Sequence, residues 1–234
     1  MDLKELGNVD PKSFWYYVYK GNFIFKKMSK YLNNPKIIFD VGAGSGFFAS
    51  IFVSRSNPTK AYCIDPYYSD EQIGEKDNLI FVKDLPPVQP DTLLFIDVLE
   101  HVADDLALLS DYVEKAQKGA VFAISVPAFQ SLWSNHDVFL EHYRRYRKSE
   151  VQKLVKSAGL IELESTYIFG SIFPLVWVIR KLKRKNNVSS DLKPSSKWVN
   201  FLVLNFLNIE KFVPVNKFFG TSVFVIAKKP YSPE

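Results

Sequence analysis

Short apolar runs rich in β-branched residues alternate along the chain with longer stretches of helical period, the pattern of an α/β fold. Asp10-Pro11 predicts a helix start, followed by an aromatic-rich helical stretch to about Leu32 that Asn33-Asn34-Pro35 ends. Lys36 to Val41 (KIIFDV) predicts a strand, which a glycine turn joins to a helix from about Ser45 to Ser56, closed by Asn57-Pro58. Further strands are predicted at Ala61 to Asp65, Leu79 to Val82 and Thr92 to Asp97. The last, TLLFID, is apolar nearly throughout, as an interior parallel strand must be.

Asp104 can cap the next helix, with Leu106, Leu109, Val113 and Ala116 on one face, and Gly119 precedes a strand at Ala120 to Val126 that Pro127 stops. Ser149 with Gln152 reads as a capping box for a helix whose inner face is Val151, Leu154, Val155 and Ala158, ended by Gly159. Strands at Ile161 to Phe169 and Ser222 to Lys228 complete a sheet of about seven, with residues 171–218 between the last two. No internal repeat breaks this order, and a connection of that length suggests function rather than a plain hairpin.

At 234 residues and 47% hydrophobic content, the chain can bury a core as one domain, taken here as 1–234 with an N-terminal helical extension over 1–34. The single cysteine, Cys63, excludes an internal disulfide and a cysteine-based zinc site, and no metal ligands are assigned. The first ten residues, MDLKELGNVD, lack the apolar core of a secretory signal, so a reducing cytoplasm is expected. No apolar run reaches the ~20 residues a spanning helix needs. Charge is unevenly placed: residues 1–170 carry 19 Lys+Arg against 22 Asp+Glu, and residues 171–234 carry 11 against 3. A nucleic-acid partner is not expected from charge so confined; the basic tail suggests either a local anionic surface or a solvated face.

The segment IFDVGAGSGFF places Gly42, Gly44 and Gly46 between a strand and a helix, where backbone can approach a nucleotide-like ligand. A dinucleotide fingerprint would need its third glycine at position 47, which is Phe47, and no Gly-Lys-Ser/Thr follows for a phosphate loop. The segment matches DxGxGxG, with Asp40 two residues before the first glycine, and resembles the first motif of class I S-adenosylmethionine-dependent methyltransferases. The resemblance implies a Rossmann-like, doubly wound, mostly parallel seven-stranded sheet with an antiparallel final strand, and S-adenosylmethionine as cofactor. It implies that the glycine loop cradles the methionine part of the cofactor and that Asp65, 19 residues after Gly46, accepts hydrogen bonds from the ribose hydroxyls. Asp84 falls where the family often contacts the adenine amino group. FIDVLEHVADD looks like the VLEHV segment of ubiquinone-biosynthesis-type and related small-molecule methyltransferases, which puts Asp97 and Val98 beside the methionine end. His101 then either anchors this loop or acts directly.

The stretch SVPAFQSLWSNHDVFLEHYRRYRKSEV holds two of the three histidines and three of the six arginines. It resembles a subgroup of the same superfamily, often linked to surface glycan or lipid pathways, with Glu141 where that subgroup would have glycine. Methyl transfer is an in-line displacement, so alignment supplies most of the rate and a base is needed only when the acceptor carries a proton. His136 and His142 are the candidate bases, with Asp137 to orient either. Arg144 and Arg145 could grip an acceptor carboxylate or phosphate, or bind a helix end. Trp133, Tyr143 and Tyr146 read as pocket wall or core, and Trp133 and Tyr146 are also taken as acceptor contacts. An Asn/Asp-Pro-Pro-aromatic motif of amino-methylating nucleic-acid enzymes is missing after the fourth strand, where DVLE stands.

Residues 168–185 join an apolar run to a basic cluster, and 198–209 form a second apolar run. Together they suit a lid over an apolar acceptor, a segment lying in the membrane interface, or a helical pair packed on the sheet or in a dimer. The expected activity is methylation, on oxygen, of a small-molecule or lipid- or glycan-linked acceptor. Nitrogen or carbon methylation, or a cofactor-binding protein without turnover, are the alternatives.

Overall fold

The computed structural model describes residues 9–182, 196–208, 210 and 214–231. Five strands run parallel: β1 (Ile37–Val41), β2 (Lys60–Ile64), β4 (Leu79–Val82), β5 (Thr92–Ile96) and β6 (Val121–Pro127). With β3 (Gly74–Lys76), β7 (Ile161–Ile168) and β8 (Ser222–Lys228) they form one sheet of order β3-β4-β2-β1-β5-β6-β8-β7. β8 is antiparallel to both β6 and β7, as expected of the last strand. The sheet has eight strands rather than seven because Gly74–Lys76 adds an antiparallel edge to β4; all three residues are exposed, so no apolar alternation announces it.

Helices cover both faces. On one face α1 (Trp15–Met28) and α2 (Phe47–Ser56) pack over Ile38, Leu94, Ala123 and Phe224. On the other, α3 (Asp105–Lys115) and α5 (Lys148–Ser157) pack over Phe39, Leu93, Phe95, Phe122 and Val225. The aromatic residues of α1 are contacts between layers: Phe25 meets Phe52 edge-on at 5.1 Å, Phe23 meets Phe224 at 5.9 Å, and Tyr16 stacks on Phe169 at 5.0 Å.

Several predicted helix boundaries move, the start of α2 from about Ser45 to Phe47 among them. Asp10-Pro11 begins a turn, not the helix: Asp10 accepts from the amides of Lys12, Ser13 and Phe14, and α1 starts only at Trp15 and ends at Met28. α5 starts at Lys148 because Glu150, not Gln152, reaches back to a backbone amide, that of Arg147 at 2.6 Å. Gln152 instead donates to Glu162 on β7. Leu106 stays exposed while Leu109, Val113 and Ala116 are buried as expected, and Asp104 does cap α3, accepting from Ala107 N–H at 2.9 Å.

Between β7 and β8 lie α6 (Phe173–Leu182) and α7 (Lys197–Asn208). α7 rests on α1, where Trp15 N–H donates to Asn200 Oδ1 and Tyr19 Oη to Glu210. The basic cluster at 183–185 lies outside the described residues. Among the described residues no helix is long and apolar enough to cross a membrane.

Candidate active site

The strand order reverses at β1, between β2 on one side and β5 on the other, and ligands of open α/β sheets bind outside the carboxyl ends of the strands at such a point. The glycine turn leaves β1 here. Gly42, Gly44 and Gly46 all have left-handed φ, of 62°, 52° and 71°. At Gly42 a Cβ would also lie 2.7 Å from Val98 Cγ2, so only glycine lets the turn meet the end of β5. Asp40, buried at the end of β1, accepts from Ala49 N–H at 3.0 Å and ties the strand to the first turn of α2. Burial, with a push from the nearby Asp65 charge, raises its carboxyl to about 6.

Asp65 sits at the end of β2, its Oδ2 accepting from Gly44 N–H (3.1 Å) and its Oδ1 from Tyr67 N–H (3.0 Å). Each carboxylate oxygen retains acceptor capacity. Beside it, Ser45 Oγ is buried without a hydrogen-bond partner, and Tyr68 Oη donates to Gly44 O. An orphaned hydroxyl, left-handed glycines and a carboxylate at one helix entrance fit the methionine and ribose portions of S-adenosylmethionine. Asp84 is exposed, two residues beyond the end of β4.

Asp97 follows β5 with φ 56° and is held by a residue the sequence gives no reason to select: Lys20 of α1, fully buried, whose Nζ lies 2.6 Å from both carboxylate oxygens. Burial works against the Lys20 ammonium, but Asp97 and Tyr16 together outweigh it and keep the lysine charged. Tyr16 Oη completes the group at 3.2 Å from Nζ. Its signal in the sequence is faint, one lysine in an otherwise aromatic helix face.

The two histidine-bearing segments are laced together. A 3-10 turn, Leu99–His101, follows Val98, and the loop after α4 (Asn135–Phe139) crosses it. Tyr143 N–H donates to Glu100 O at 2.7 Å, Arg144 donates to the carbonyls of Val102 and Ala103, and Tyr146 Oη lies 2.7 Å from Asp105 Oδ2 and 3.1 Å from Leu99 O. Glu141 keeps the left-handed turn expected of glycine there, with φ 58°. Arg144 also pairs with Asp105 at 3.1 Å.

Asp137 is the centre of this region. Its buried carboxylate accepts from Ser134 N–H (2.8 Å), His142 Nδ1 (3.0 Å) and Arg145 Nε (2.7 Å), while Arg180 of α6 stands 3.7 Å away. Burial alone would raise its carboxyl, but the hydrogen bonds from His142, Arg145 and Ser134 hold it well below the usual carboxylate range. Arg145 is buried as well and donates to Ala128 O, so Asp137, Arg145 and Tyr146 have their polar atoms engaged within the protein. His136 and Trp133 are half-buried on the same segment. Glu100, next to His101 and His142, has both carboxylate oxygens buried without a partner, and burial, aided by the Asp97 charge, keeps its carboxyl well above the usual range.

A family model described as a methyltransferase domain matches residues 19–164. No curated protein sequence matches the chain. Among solved structures, the chain resembles Haemonchus contortus phosphoethanolamine N-methyltransferase 2 in complex with S-adenosyl-L-methionine, with TM-score 0.57 and 15% identity over 91% of this chain and 52% of that one. It also resembles an S-adenosylmethionine-dependent methyltransferase from Archaeoglobus fulgidus, with TM-score 0.52 and 16% identity over 92% and 99%. An O-methyltransferase family protein from Burkholderia thailandensis gives TM-score 0.55 and 9% identity over 91% and 55%. At these identities the structures speak for the fold, while the family model covers more than half of the chain. The chain belongs to the methyltransferase-domain family, the class I S-adenosylmethionine-dependent methyltransferases.

Proposed function

We propose that the chain methylates an oxygen of a small-molecule or lipid- or glycan-linked acceptor, binding the cofactor along the carboxyl ends of β1, β2 and β5. In this reading Asp40, Gly42, Gly44 and Gly46 shape the methionine cradle, Asp65 takes the ribose hydroxyls, and Asp84 lies toward the adenine. Asp97 and Val98 border the reacting end, where Lys20 fixes the Asp97 carboxylate. When bound, S-adenosylmethionine supplies an electrophilic methyl group. The chain's own residues align the acceptor and draw off its proton.

The observation that supports oxygen as the methylated atom is the His142 ring, held through Nδ1 by the ionised Asp137 and set beside Glu100. That arrangement keeps Nε2 as the basic nitrogen, of use for an alcohol or phenol that must lose a proton. Arg145 positions Asp137, and Arg144 and Tyr146 hold the 99–103 turn to Asp105 and the loop that follows it. Arg144 thus takes the loop-binding role, and Trp133 and His136 remain on the acceptor side. His142→Ala is expected to retain cofactor affinity within a few-fold while turnover falls about 100-fold or more, measured as demethylated cofactor released with phenol, hydroxy-acid and amine acceptors. A larger loss in His136→Ala would move the base to that residue. Unchanged turnover in both would remove the base assignment, and turnover only with amines would establish nitrogen methylation.

We also take α6 and α7 as a lid that lies on the cytoplasmic face of a membrane. α6 meets the acceptor-side segment through Arg180, which donates to Leu132 O at 2.6 Å. Both helices present large apolar side chains outward: Leu175, Val178 and Leu182 on α6, Trp198, Phe201 and Leu202 on α7. With the basic excess of residues 171–234, this surface matches an anionic interface. The protein should float with anionic vesicles at low salt and be released as salt rises, and Trp198→Glu with Leu202→Glu should lower recruitment several-fold. Equal recruitment to neutral and anionic vesicles, or none at low salt, would refute the interfacial reading.

A further inference from the structure

Glu100 poses a problem that the cofactor site does not solve. Its side chain is 1% exposed and neither carboxylate oxygen meets a donor, whereas a buried acid normally has its oxygens satisfied. What does surround it is other ligand chemistry. One ligand atom each from Glu100, His101 and His142 lie within 4.8 Å of one another, and the two imidazole rings meet edge-on at 4.6 Å. Exposed acids often gather with no ion between them; a buried one whose own oxygens are unpartnered, facing two imidazoles, is different, because a cation is a partner that would satisfy the carboxylate.

We infer that Glu100, His101 and His142 bind a divalent transition-metal ion of the zinc or cobalt kind. Two imidazoles and one carboxylate form a donor set that suits such ions and leaves coordination positions open, whereas magnesium and calcium take oxygen ligands. Ligand bonds of about 2.1 Å at tetrahedral angles put neighbouring donor atoms about 3.4 Å apart, so each of the three must move inward by up to about 0.8 Å. The second layer of the site is already built: His142 donates Nδ1–H to Asp137, which fixes the ring and leaves Nε2 to the metal, and Arg145 and Ser134 hold Asp137 in turn. Asp97 is outside the set, being engaged by Lys20. The sequence conceals the site because His142 lies 41 residues beyond His101, in a segment whose crossing of the 99–103 turn is tertiary.

This deepens the oxygen-methylation reading, in which His142 would otherwise take the proton itself. An acceptor hydroxyl on an open position would release its proton to water near neutral pH, as metal-bound water does. Metal binding does not depend on that reading, so it is measured without turnover.

Chelator-treated protein titrated with Co2+ should take up one ion per chain with a visible absorption band, and calorimetry with Zn2+ should give the same stoichiometry. Glu100→Gln and His142→Ala should each weaken binding at least tenfold, and His136→Ala, which removes the remaining histidine, should not. Because those variants can lose stability, the wild type carries a second readout. In imidazole 15N spectra, Zn2+ should shift the His101 and His142 resonances and leave His136 in place. No saturable uptake, uptake indifferent to Glu100→Gln and His142→Ala, or a shift of His136 alone would overturn the site. Cofactor titration of the same samples separates that failure from failure of the methyltransferase reading.

Discussion

Asp137→Ala is expected to destabilise the protein by about 3–5 kcal/mol, because removing one partner of a buried pair leaves the other charged and unsatisfied. The Asp137 side chain is fully buried and the Arg145 side chain is 4% exposed, and without the carboxylate Arg145 keeps only the Ala128 carbonyl. His142 and the amide of Ser134 lose their acceptor in the same step. Chemical denaturation is the direct test; for a chain of this size the midpoint of thermal unfolding should fall by roughly 6–20 °C. A loss under about 1 kcal/mol would mean that the guanidinium finds water or another acceptor. The pH dependence has a definite sign. A carboxyl held below its unfolded value near ~3.9 stabilises fully above that value and loses its contribution as pH falls through the folded one. The part of the gap between wild type and Asp137→Asn that comes from the carboxyl's own titration should therefore be complete above about pH 5 and be lost only in acid.

The second large effect is on the cofactor. Asp65→Ala should weaken S-adenosylmethionine about 100- to 1000-fold in titration calorimetry, the loss expected for two hydrogen bonds to a charged acceptor at ~1.5–2 kcal/mol each. Part of that acts through the protein, since Asp65 also accepts the Gly44 and Tyr67 amides that set the turn. Asp65→Asn retains one acceptor oxygen and should fall between the two. A change under tenfold in Asp65→Ala would assign the ribose to other groups.

These two carboxylates differ in how openly the sequence announces them. Asp65 ends an apolar strand at a set distance from a glycine turn, and both features are local, so its place follows from period and spacing. β8 falls on its predicted residues for the same reason, and β1, β2, β4, β5 and β6 to within one. Asp137 is legible as a neighbour of histidines, but its role as the acceptor for Arg145 is not, because the 141–146 segment folds back in a way no periodicity encodes. Lys20 is the extreme case: its partner lies 77 residues away, and a lysine in an amphipathic helix ordinarily marks the solvent side. The shift of α5 has a smaller cause, since Glu150 and Gln152 both suit a capping box and only tertiary contact with Glu162 separates them. Three exposed residues such as those of β3 carry no strand signal at all.

The placement of β8 between β6 and β7 has a consequence for synthesis. During translation β7 is complete at Ile168, yet its sheet neighbour begins at Ser222, 54 residues later. At about 5–20 residues per second the ribosome leaves β7 without that neighbour for roughly 3–11 s, and β6, complete at Pro127, for roughly 5–19 s. Throughout that interval both strands present unpaired backbone, Val121–Pro127 being buried along its whole length in the finished sheet. The half of the sheet that carries the glycine turn can assemble first, and the nascent chain meets its greatest hazard of strand-to-strand aggregation while α6 and α7 are being made. Chain release before residue 222 would make that hazard permanent, so a factor that shields these strand edges has to act late in synthesis.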